Sequence, residues 1–188
     1  MGALTVVLGF GVVGRPTTQA LLARGGTVRV AQRSRPANLP ARADFRACDV
    51  LDAASVRQAI DGASQVVLAV AFPYDAKVWR ASWPRAMTNL VEACATTGAR
   101  LVFLDNLYQL GPQNEPRRED MPLTTRGGKP GVLADVTRIW MAAAARVRIA
   151  AYRLLRSGRY HVPPGRQRVR RACERQIGAV RHAARHSA

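Results

Sequence analysis

A short apolar run leads directly into a glycine-rich turn, and this combination restricts the folds open to the chain. Residues 4–8 are typical of a β-strand, and glycines follow at positions 9, 11 and 14. In this spacing the first glycine allows a tight turn, the second lets a ligand approach the backbone, and the third lets the next helix pack on the strand. A dinucleotide pyrophosphate needs these features together with backbone N–H groups at a helix N-terminus. We therefore predict that the pyrophosphate contacts Gly9, Phe10, Gly11, Val12, Val13 and Gly14.

The residues after the turn supply the context that this motif requires. Apolar residues at positions 20–23 predict an amphipathic helix, which Gly25 and Gly26 end. A strand, a turn and a helix in this order favour a nucleotide-binding unit over a glycine-rich connection in another kind of α/β protein.

The end of the second predicted strand bears on the choice of cofactor. Residues 27–31 predict that strand, and an NAD site usually places Asp or Glu at its end to bind the ribose 2′-hydroxyl. This chain instead has Gln32, Arg33, Ser34 and Arg35. Because Arg33, Ser34 and Arg35 suit a 2′-phosphate, we predict NADP as the preferred cofactor and leave NAD open. The alternative is that these arginines are ordinary exposed loop residues.

A third predicted strand leads towards the adenine. Residues 45–48 predict this strand, and Asp49 and Val50 follow it at a point where an acid can meet the adenine amino group. Residues 53–60 then predict a helix, for which Asp52 is an N-cap candidate.

A fourth predicted strand is nearly all apolar, as expected for a strand that is covered on both faces of a parallel sheet. It spans residues 65–71 and belongs in the centre of the sheet. Its end is expected to pass beneath the nicotinamide side of the cofactor, at Ala69, Val70 and Ala71.

The remainder of the chain continues to alternate between helical and strand patterns. Residues 75–97 predict a long helix interrupted at Pro84, and residues 113–130 are polar and typical of a long loop. A fifth strand, a further helix and a sixth strand are predicted at residues 100–104, 132–146 and 148–154. This alternation is typical of an α/β protein with a parallel sheet.

Four motifs carry a resemblance to a known family: the glycine turn, Asp49–Val50, the stretch Asn106–Gly111, and Lys129. Over roughly residues 3–153, their order and spacing resemble the extended or atypical short-chain dehydrogenase/reductase group, and more narrowly the NAD-dependent epimerase/dehydratase-like proteins. The resemblance implies a Rossmann-like doubly wound parallel sheet of about six strands with helices on both faces. It also implies an NAD(P)-binding oxidoreductase or epimerase that acts on a small carbonyl or sugar-nucleotide substrate.

The chain departs from the family pattern at both acid–base positions. The resemblance implies a Ser or Thr after the fifth strand, and a Tyr-x-x-x-Lys whose Tyr transfers a proton and whose Lys binds ribose. These positions hold Asn106 and, four residues before Lys129, Thr125. A Thr hydroxyl is a far weaker acid than a phenol, and Tyr108 is the only phenol nearby. The candidate catalytic residues are therefore Asn106, Tyr108, Thr125 and Lys129; the alternative is a dinucleotide-binding module with weak or no catalysis.

The amino-acid composition changes near residue 152, beyond which the chain is rich in arginine. The formal net charge is +17, and residues 152–188 contribute ten arginines against a single acid. We expect a dinucleotide-binding domain at residues 1–154 and a basic tail at 155–188, which is either native or the altered end of a longer enzyme that has lost its substrate region. Nucleic-acid binding by the tail is disfavoured, because only Tyr152 and Tyr160 could stack on bases.

Cysteine spacing and hydropathy bear on the compartment and the partners. Cys48, Cys94 and Cys173 show no metal-ligand spacing, so we expect no metal site and inert thiols in a reducing cytoplasm. No apolar run approaches membrane-spanning length, so no membrane partner is expected. The expected partners are the dinucleotide and a small-molecule substrate, and a homodimer is left open.

Overall fold

The computed structural model describes residues 2–114 and 121–153, and the predicted basic tail at 155–188 lies outside the described residues. Its strands are β1 (Leu4–Leu8), β2 (Thr27–Gln32), β3 (Asp44–Ala47), β4 (Gln65–Leu68), β5 (Arg100–Asp105) and β6 (Ile149–Arg153). Its helices are α1 (Gly14–Ala23), α2 (Ala53–Ile60), α3 (Ala76–Thr97) and α4 (Gly128–Ala143), with a short 3₁₀ turn at Tyr108–Leu110.

The six described strands form one parallel sheet in the order β3-β2-β1-β4-β5-β6. Strand β1 lies at the centre, where Val7 is in register with Val30 of β2 on one side and Val67 of β4 on the other. The strand order reverses between β1 and β4, and such a reversal opens a crevice at the carboxyl ends of the strands. The predicted Rossmann-like doubly wound sheet is thus confirmed.

Helices cover both faces of the sheet. On one face, Val7 and Val30 pack with Leu22 of α1. On the other face, Val6 and Leu8 belong to a larger core that includes buried residues of α2, α3 and α4. Because successive residues of a strand point to opposite faces, the apolar residues 6–8 of β1 supply both cores.

Capping residues set the ends of the helices that follow β3 and β4. Asp52 and Asp75 each accept two backbone N–H hydrogen bonds at the start of α2 and α3. Asp52 is therefore an N-cap, and the two N–H bonds that it accepts hold the pKa of its carboxyl below its usual value. Helix α3 ends at Gly98, whose φ of 71° is the left-handed conformation that glycine adopts readily.

Helix α3 is continuous through Pro84, so the predicted interruption at this residue is wrong. Proline fixes φ near the helical value but lacks the N–H that would bond to the carbonyl of Arg80, so it removes a single helical hydrogen bond. Buried residues on both sides of the proline, among them Trp79, Met87 and Leu90, pack into the same core. This shared packing holds the two halves in one helix.

Two elements differ in extent from the sequence-based expectation. Strand β4 ends at Leu68 rather than at residue 71. Ala69 N–H continues the pairing by donating a hydrogen bond to the carbonyl of Leu8. The chain then passes beneath Gly9. Helix α4 begins directly after Gly127, whose φ is 88°. Lys129 therefore lies in the first turn of a helix and not in a loop.

Candidate functional site

The glycine turn lies at the carboxyl end of β1, and its three glycines are required for different reasons. Gly9 has a φ of 94°, and a Cβ atom there would lie 2.9 Å from the carbonyl oxygen of Ala69. A Cβ on Gly14 would overlap the carbonyl oxygen of Gly9. A Cβ on Gly11 would meet no protein atom within 4 Å, and its φ is not positive. The fold therefore requires Gly9 and Gly14, whereas Gly11 leaves the turn open to close approach by a ligand.

The N-terminus of α1 faces this turn without a capping side chain. Val13 occupies the N-cap position and makes no side-chain cap, and the first turn of the helix contains no acidic residue. The first N–H groups of a helix carry partial positive charge and suit an anion. Together with the open space at Gly11, this arrangement fits the pyrophosphate of a dinucleotide.

Gln32, which the sequence analysis gave no role, ties the end of β2 to the glycine turn. Its Oε1 accepts a hydrogen bond from Phe10 N–H at 2.9 Å, and its Nε2 donates to the carbonyl of Ser34 at 2.8 Å. It lies where an acid would bind ribose in an NAD site. The side chain therefore joins the backbone of the glycine turn to that of the loop after β2.

Basic residues follow Gln32 in the chain, and another lies at the start of α1. Arg33, Ser34 and Arg35 are exposed after β2, and the Arg35 guanidinium lies 5.6 Å from the centre of the Phe45 ring. Arg15, in the first turn of α1, lies 5.6 Å from the centre of the Phe10 ring. Arg33, Ser34 and Arg35, which are predicted to meet the adenosine phosphate, thus follow the carboxyl end of β2 directly.

The residues predicted near the adenine follow β3. Val50 is buried, and its carbonyl accepts a hydrogen bond from Asn89 of α3 at 3.0 Å. Asp49 is exposed, and its carboxylate accepts from Leu51 N–H at 2.9 Å. Asp49 therefore shapes its own loop while remaining at the edge of the crevice.

The residues predicted near the nicotinamide follow β4. Ala69 and Val70 are half-buried against Gly9, and Ala71 is exposed. The chain then reaches Tyr74, a residue that the sequence analysis did not single out and whose side chain is 68% exposed.

An aromatic group lies at the carboxyl ends of β4 and β5, and we call Tyr74, Trp79 and Tyr108 the aromatic cluster. Tyr74 packs edge-on against Trp79, with ring centres 5.4 Å apart, and Tyr108 stacks on Trp79 at 6.2 Å. The hydroxyl oxygens of Tyr74 and Tyr108 lie 3.4 Å apart. Lys129 Nζ lies 3.5 Å from the centre of the Tyr74 ring and 5.9 Å from that of Trp79. No local pattern predicts this convergence, because its members come from three separate segments.

The other candidate catalytic residues are placed differently. Asn106 Oδ1 accepts a hydrogen bond from Tyr108 N–H at 2.8 Å and so supports the 3₁₀ turn. Asp105 is buried and accepts hydrogen bonds from Asn106 N–H and from the amide of the buried Gln109. Thr125 is exposed between the turn and α4. The structure therefore places Tyr108 in the aromatic cluster and Lys129 against the Tyr74 and Trp79 rings of that cluster, whereas the described contacts of the cluster do not include Thr125.

The thiols of the described residues are buried. Burial raises the pKa of Cys48 to about 11 and that of Cys94 to about 12. Residues 2–114 and 121–153 contain no group of three His, Cys, Asp or Glu side chains that could hold a metal ion. No helix within these ranges is long and apolar enough to cross a membrane.

The chain is similar to known proteins in both sequence and fold. The sequence model of the NAD dependent epimerase/dehydratase family matches residues 5–130. The uncharacterised protein Rv2047c of Mycobacterium tuberculosis is 33% identical over 142 residues, which cover 70% of this chain and 13% of that protein. The chain thus spans a small part of this relative.

The solved structures that it resembles share its fold. WbmH of Bordetella bronchiseptica, in complex with NAD⁺, is 20% identical with a TM-score of 0.71, and the match covers 81% of this chain and 56% of that one. A short-chain dehydrogenase/reductase superfamily protein of Agrobacterium tumefaciens, with bound NAD, is 24% identical with a TM-score of 0.66, and the match covers 80% and 48%. The chain spans about half the length of these proteins.

Proposed function

Since the chain belongs to the NAD dependent epimerase/dehydratase family, we propose that it binds a nicotinamide dinucleotide across the carboxyl ends of β1, β2 and β4. The observation that carries this proposal is the open approach to Gly11 beside the uncapped N-terminus of α1. The pyrophosphate would lie against residues 9–14, where backbone N–H groups meet its charge.

The remaining contacts follow from the path of the strands. The adenosine would lie between Arg33, Ser34 and Arg35 at the end of β2 and Asp49 and Val50 after β3. The nicotinamide would lie over Ala69, Val70 and Ala71, and Lys129 is the candidate for the ribose hydroxyls. When bound, the dinucleotide would supply or accept a hydride at a carbon of the substrate, and the chain would supply orientation and electrostatics.

We propose NADP as the preferred form of the cofactor. The support is chemical: Gln32 replaces the acid that would bind a ribose 2′-hydroxyl, and exposed Arg33 and Arg35 are suited to a 2′-phosphate. NAD remains a second cofactor, since two structurally similar proteins are described with NAD bound.

The proposed substrate is a small carbonyl compound or a sugar nucleotide. The structural neighbour WbmG of Bordetella bronchiseptica is described in complex with NAD and UDP, which supports this class. A dinucleotide-binding module with weak or no catalysis is the second candidate, and one observation favours it. Thr125 stands where the family resemblance implies a phenol.

Calorimetric titration with NADPH and NADH tests the proposal. We expect tighter binding of NADPH, and we expect Arg33→Asp to reverse the preference. Arg24→Asp is the matched control, because Arg24 is an exposed arginine at the opposite end of α1. Equal affinities in the parent protein would overturn the NADP assignment, and absence of binding to either dinucleotide would overturn the proposed function. A turnover screen with carbonyl compounds and UDP-sugars then separates an enzyme from a binding module.

A further inference from the structure

We infer that Tyr74 is a positioning residue for Lys129, whose ammonium rests on the face of the Tyr74 ring in the connection after β4. The inference rests on the proposed function, in which Lys129 is the candidate for the ribose hydroxyls. It deepens that proposal by giving a role to Tyr74, which the sequence analysis did not single out. The role belongs to the ring and not to the hydroxyl, which already donates to the hydroxyl of Tyr108.

The contact between the two side chains is close. Lys129 Nζ lies 3.5 Å from the centre of the Tyr74 ring and 5.9 Å from that of Trp79. The face of an aromatic ring carries partial negative charge and attracts a cation within about 6 Å of its centre. Among the described residues no carboxylate pairs with Lys129, so the ring faces are the described groups that meet its charge.

Lys129 lies in the first turn of α4, where the charge of the helix terminus disfavours a lysine. The N-terminal end of a helix carries partial positive charge, and the first turn of α4 contains no acidic residue to offset it. The backbone is also closely packed here, because a Cβ on Gly128 would lie 3.2 Å from the Cβ of Ala76 at the start of α3. This packing keeps Lys129 beside Tyr74, which precedes Ala76 by two residues. The ring face therefore offsets an unfavourable position for the charge and fixes where the ammonium lies.

Two contacts fix the Tyr74 ring itself. It packs edge-on against Trp79, with ring centres 5.4 Å apart and planes at 90°, and Trp79 is only 8% exposed. The Tyr74 hydroxyl lies 3.4 Å from the Tyr108 hydroxyl to which it donates. The ring is thus oriented before a ligand arrives. Since an ammonium has three N–H donors, Lys129 held on this ring can still donate to a hydroxyl oxygen.

The first arm of the test locates the ammonium by NMR. The chain contains two lysines, Lys77 and Lys129, so protein made with isotopically labelled lysine gives two sets of εCH₂ signals, which Lys77→Met assigns. Protons above a ring face are shielded, so we expect the Lys129 signal to lie upfield of that of exposed Lys77. Tyr74→Phe keeps the ring and should keep the upfield shift, whereas Tyr74→Leu should lose most of it. The inference is overturned if the parent protein shows no upfield shift, or if Tyr74→Leu retains it.

The second arm measures the binding of NADPH and NADH to the full chain by calorimetric titration. Lys129→Met should lower the affinity for both dinucleotides by about tenfold or more, as loss of a hydrogen bond to a charged group implies. Tyr74→Leu should lower both affinities by about threefold to fivefold, while Tyr74→Phe restores most of the loss. In a Lys129→Met background, Tyr74→Leu should cost no more than about twofold, because the ring then has no ammonium to hold. Lys77→Met is the matched control, since Lys77 is exposed on α3.

The outcomes separate the inference from the proposed function. If Tyr74→Leu binds both dinucleotides as tightly as the parent protein, Tyr74 does not position Lys129 and the inference is overturned. An undiminished loss in the Lys129→Met background overturns it equally, because the ring would then act independently of the ammonium. If the parent protein binds neither dinucleotide, the proposed function fails, and the shift of the Lys129 signal alone decides whether the ring holds the ammonium.

Discussion

Gln32 Oε1 accepts a hydrogen bond from the backbone N–H of Phe10 at 2.9 Å, and this bond joins the end of β2 to the middle of the glycine turn. The same side chain donates to the carbonyl of Ser34. One amide thus fixes both the turn proposed to hold the pyrophosphate and the loop proposed to hold the 2′-phosphate.

Gln32→Leu should weaken binding of NADPH and NADH to a similar extent. The leucine leaves Phe10 N–H without its acceptor, which costs about 1 kcal/mol and corresponds to roughly a fivefold loss of affinity. Calorimetric titration of both dinucleotides checks this result, with Gln58→Leu on the exposed face of α2 as the control. A change in the NADPH to NADH ratio would instead mean that Gln32 contacts the ribose directly.

Gly14→Ala should destabilise the folded chain. Its new methyl group overlaps the carbonyl oxygen of Gly9, and relief of such a clash within a tightly packed turn costs about 1–3 kcal/mol. Urea unfolding followed by circular dichroism measures the loss. Gly131→Ala is the matched control, since a Cβ in this helical position has no neighbour closer than 3.8 Å. Equal stability of the two variants would mean that the turn relaxes freely.

The thiols of Cys48 and Cys94 should be unreactive in the folded protein. The thiolate is the reactive form, and a pKa of about 11 for Cys48 and about 12 for Cys94 leaves little of it near neutral pH. In a Cys173→Ser background, Ellman's reagent should label neither thiol at pH of about 8 until urea is added, when it should label both. Rapid labelling of the folded chain would contradict the burial of these residues.

The raised pKa values of the two thiols also predict how the stability of the fold changes at alkaline pH. The ordinary thiol pKa is 9.0, and burial raises it in the folded state, so the unfolded chain loses its thiol protons first. The contribution of the protonated thiols to the stability of the fold is therefore complete below pH 9. It is lost as the pH rises through the thiol pKa values of the folded chain. The urea midpoint should therefore drop less between pH 9 and 11 in Cys48→Ala than in the parent protein. An equal drop in both would exclude a contribution from Cys48.

The sequence predicted the elements whose signal is local. The apolar run of β1, the glycine spacing and the Asp52 cap each depend on residues within a few positions of one another, and each is found where it was expected. Pro84 was misjudged because local preference predicts a break, whereas the packing that keeps α3 continuous comes from other elements.

The part of the site that could not be predicted is the part that depends on distant contacts. Tyr74 lies 34 positions from Tyr108 and farther still from Lys129. Tyr74 and Tyr108 meet at the carboxyl ends of the paired strands β4 and β5, and Lys129 reaches Tyr74 from the first turn of α4. The hydrogen bond between Phe10 and Gln32 spans 22 residues in the same way. A search for the family's Tyr-x-x-x-Lys spacing therefore pointed to Thr125, while the phenol beside Lys129 comes from another segment.

NADPH binding to Gly11→Val, compared with binding to the parent chain, shows whether the pyrophosphate lies against the backbone at Gly11. Apart from Gly11 and its two chain neighbours, no protein atom lies within 4 Å of the Cβ position at Gly11, so the variant should keep its melting temperature within about 2 °C. The added side chain should nevertheless keep the pyrophosphate away from the backbone and lower NADPH affinity by at least about tenfold, or roughly 1.4 kcal/mol. A folded Gly11→Val variant that binds NADPH as tightly as the parent chain would mean that the pyrophosphate does not lie against residues 9–14.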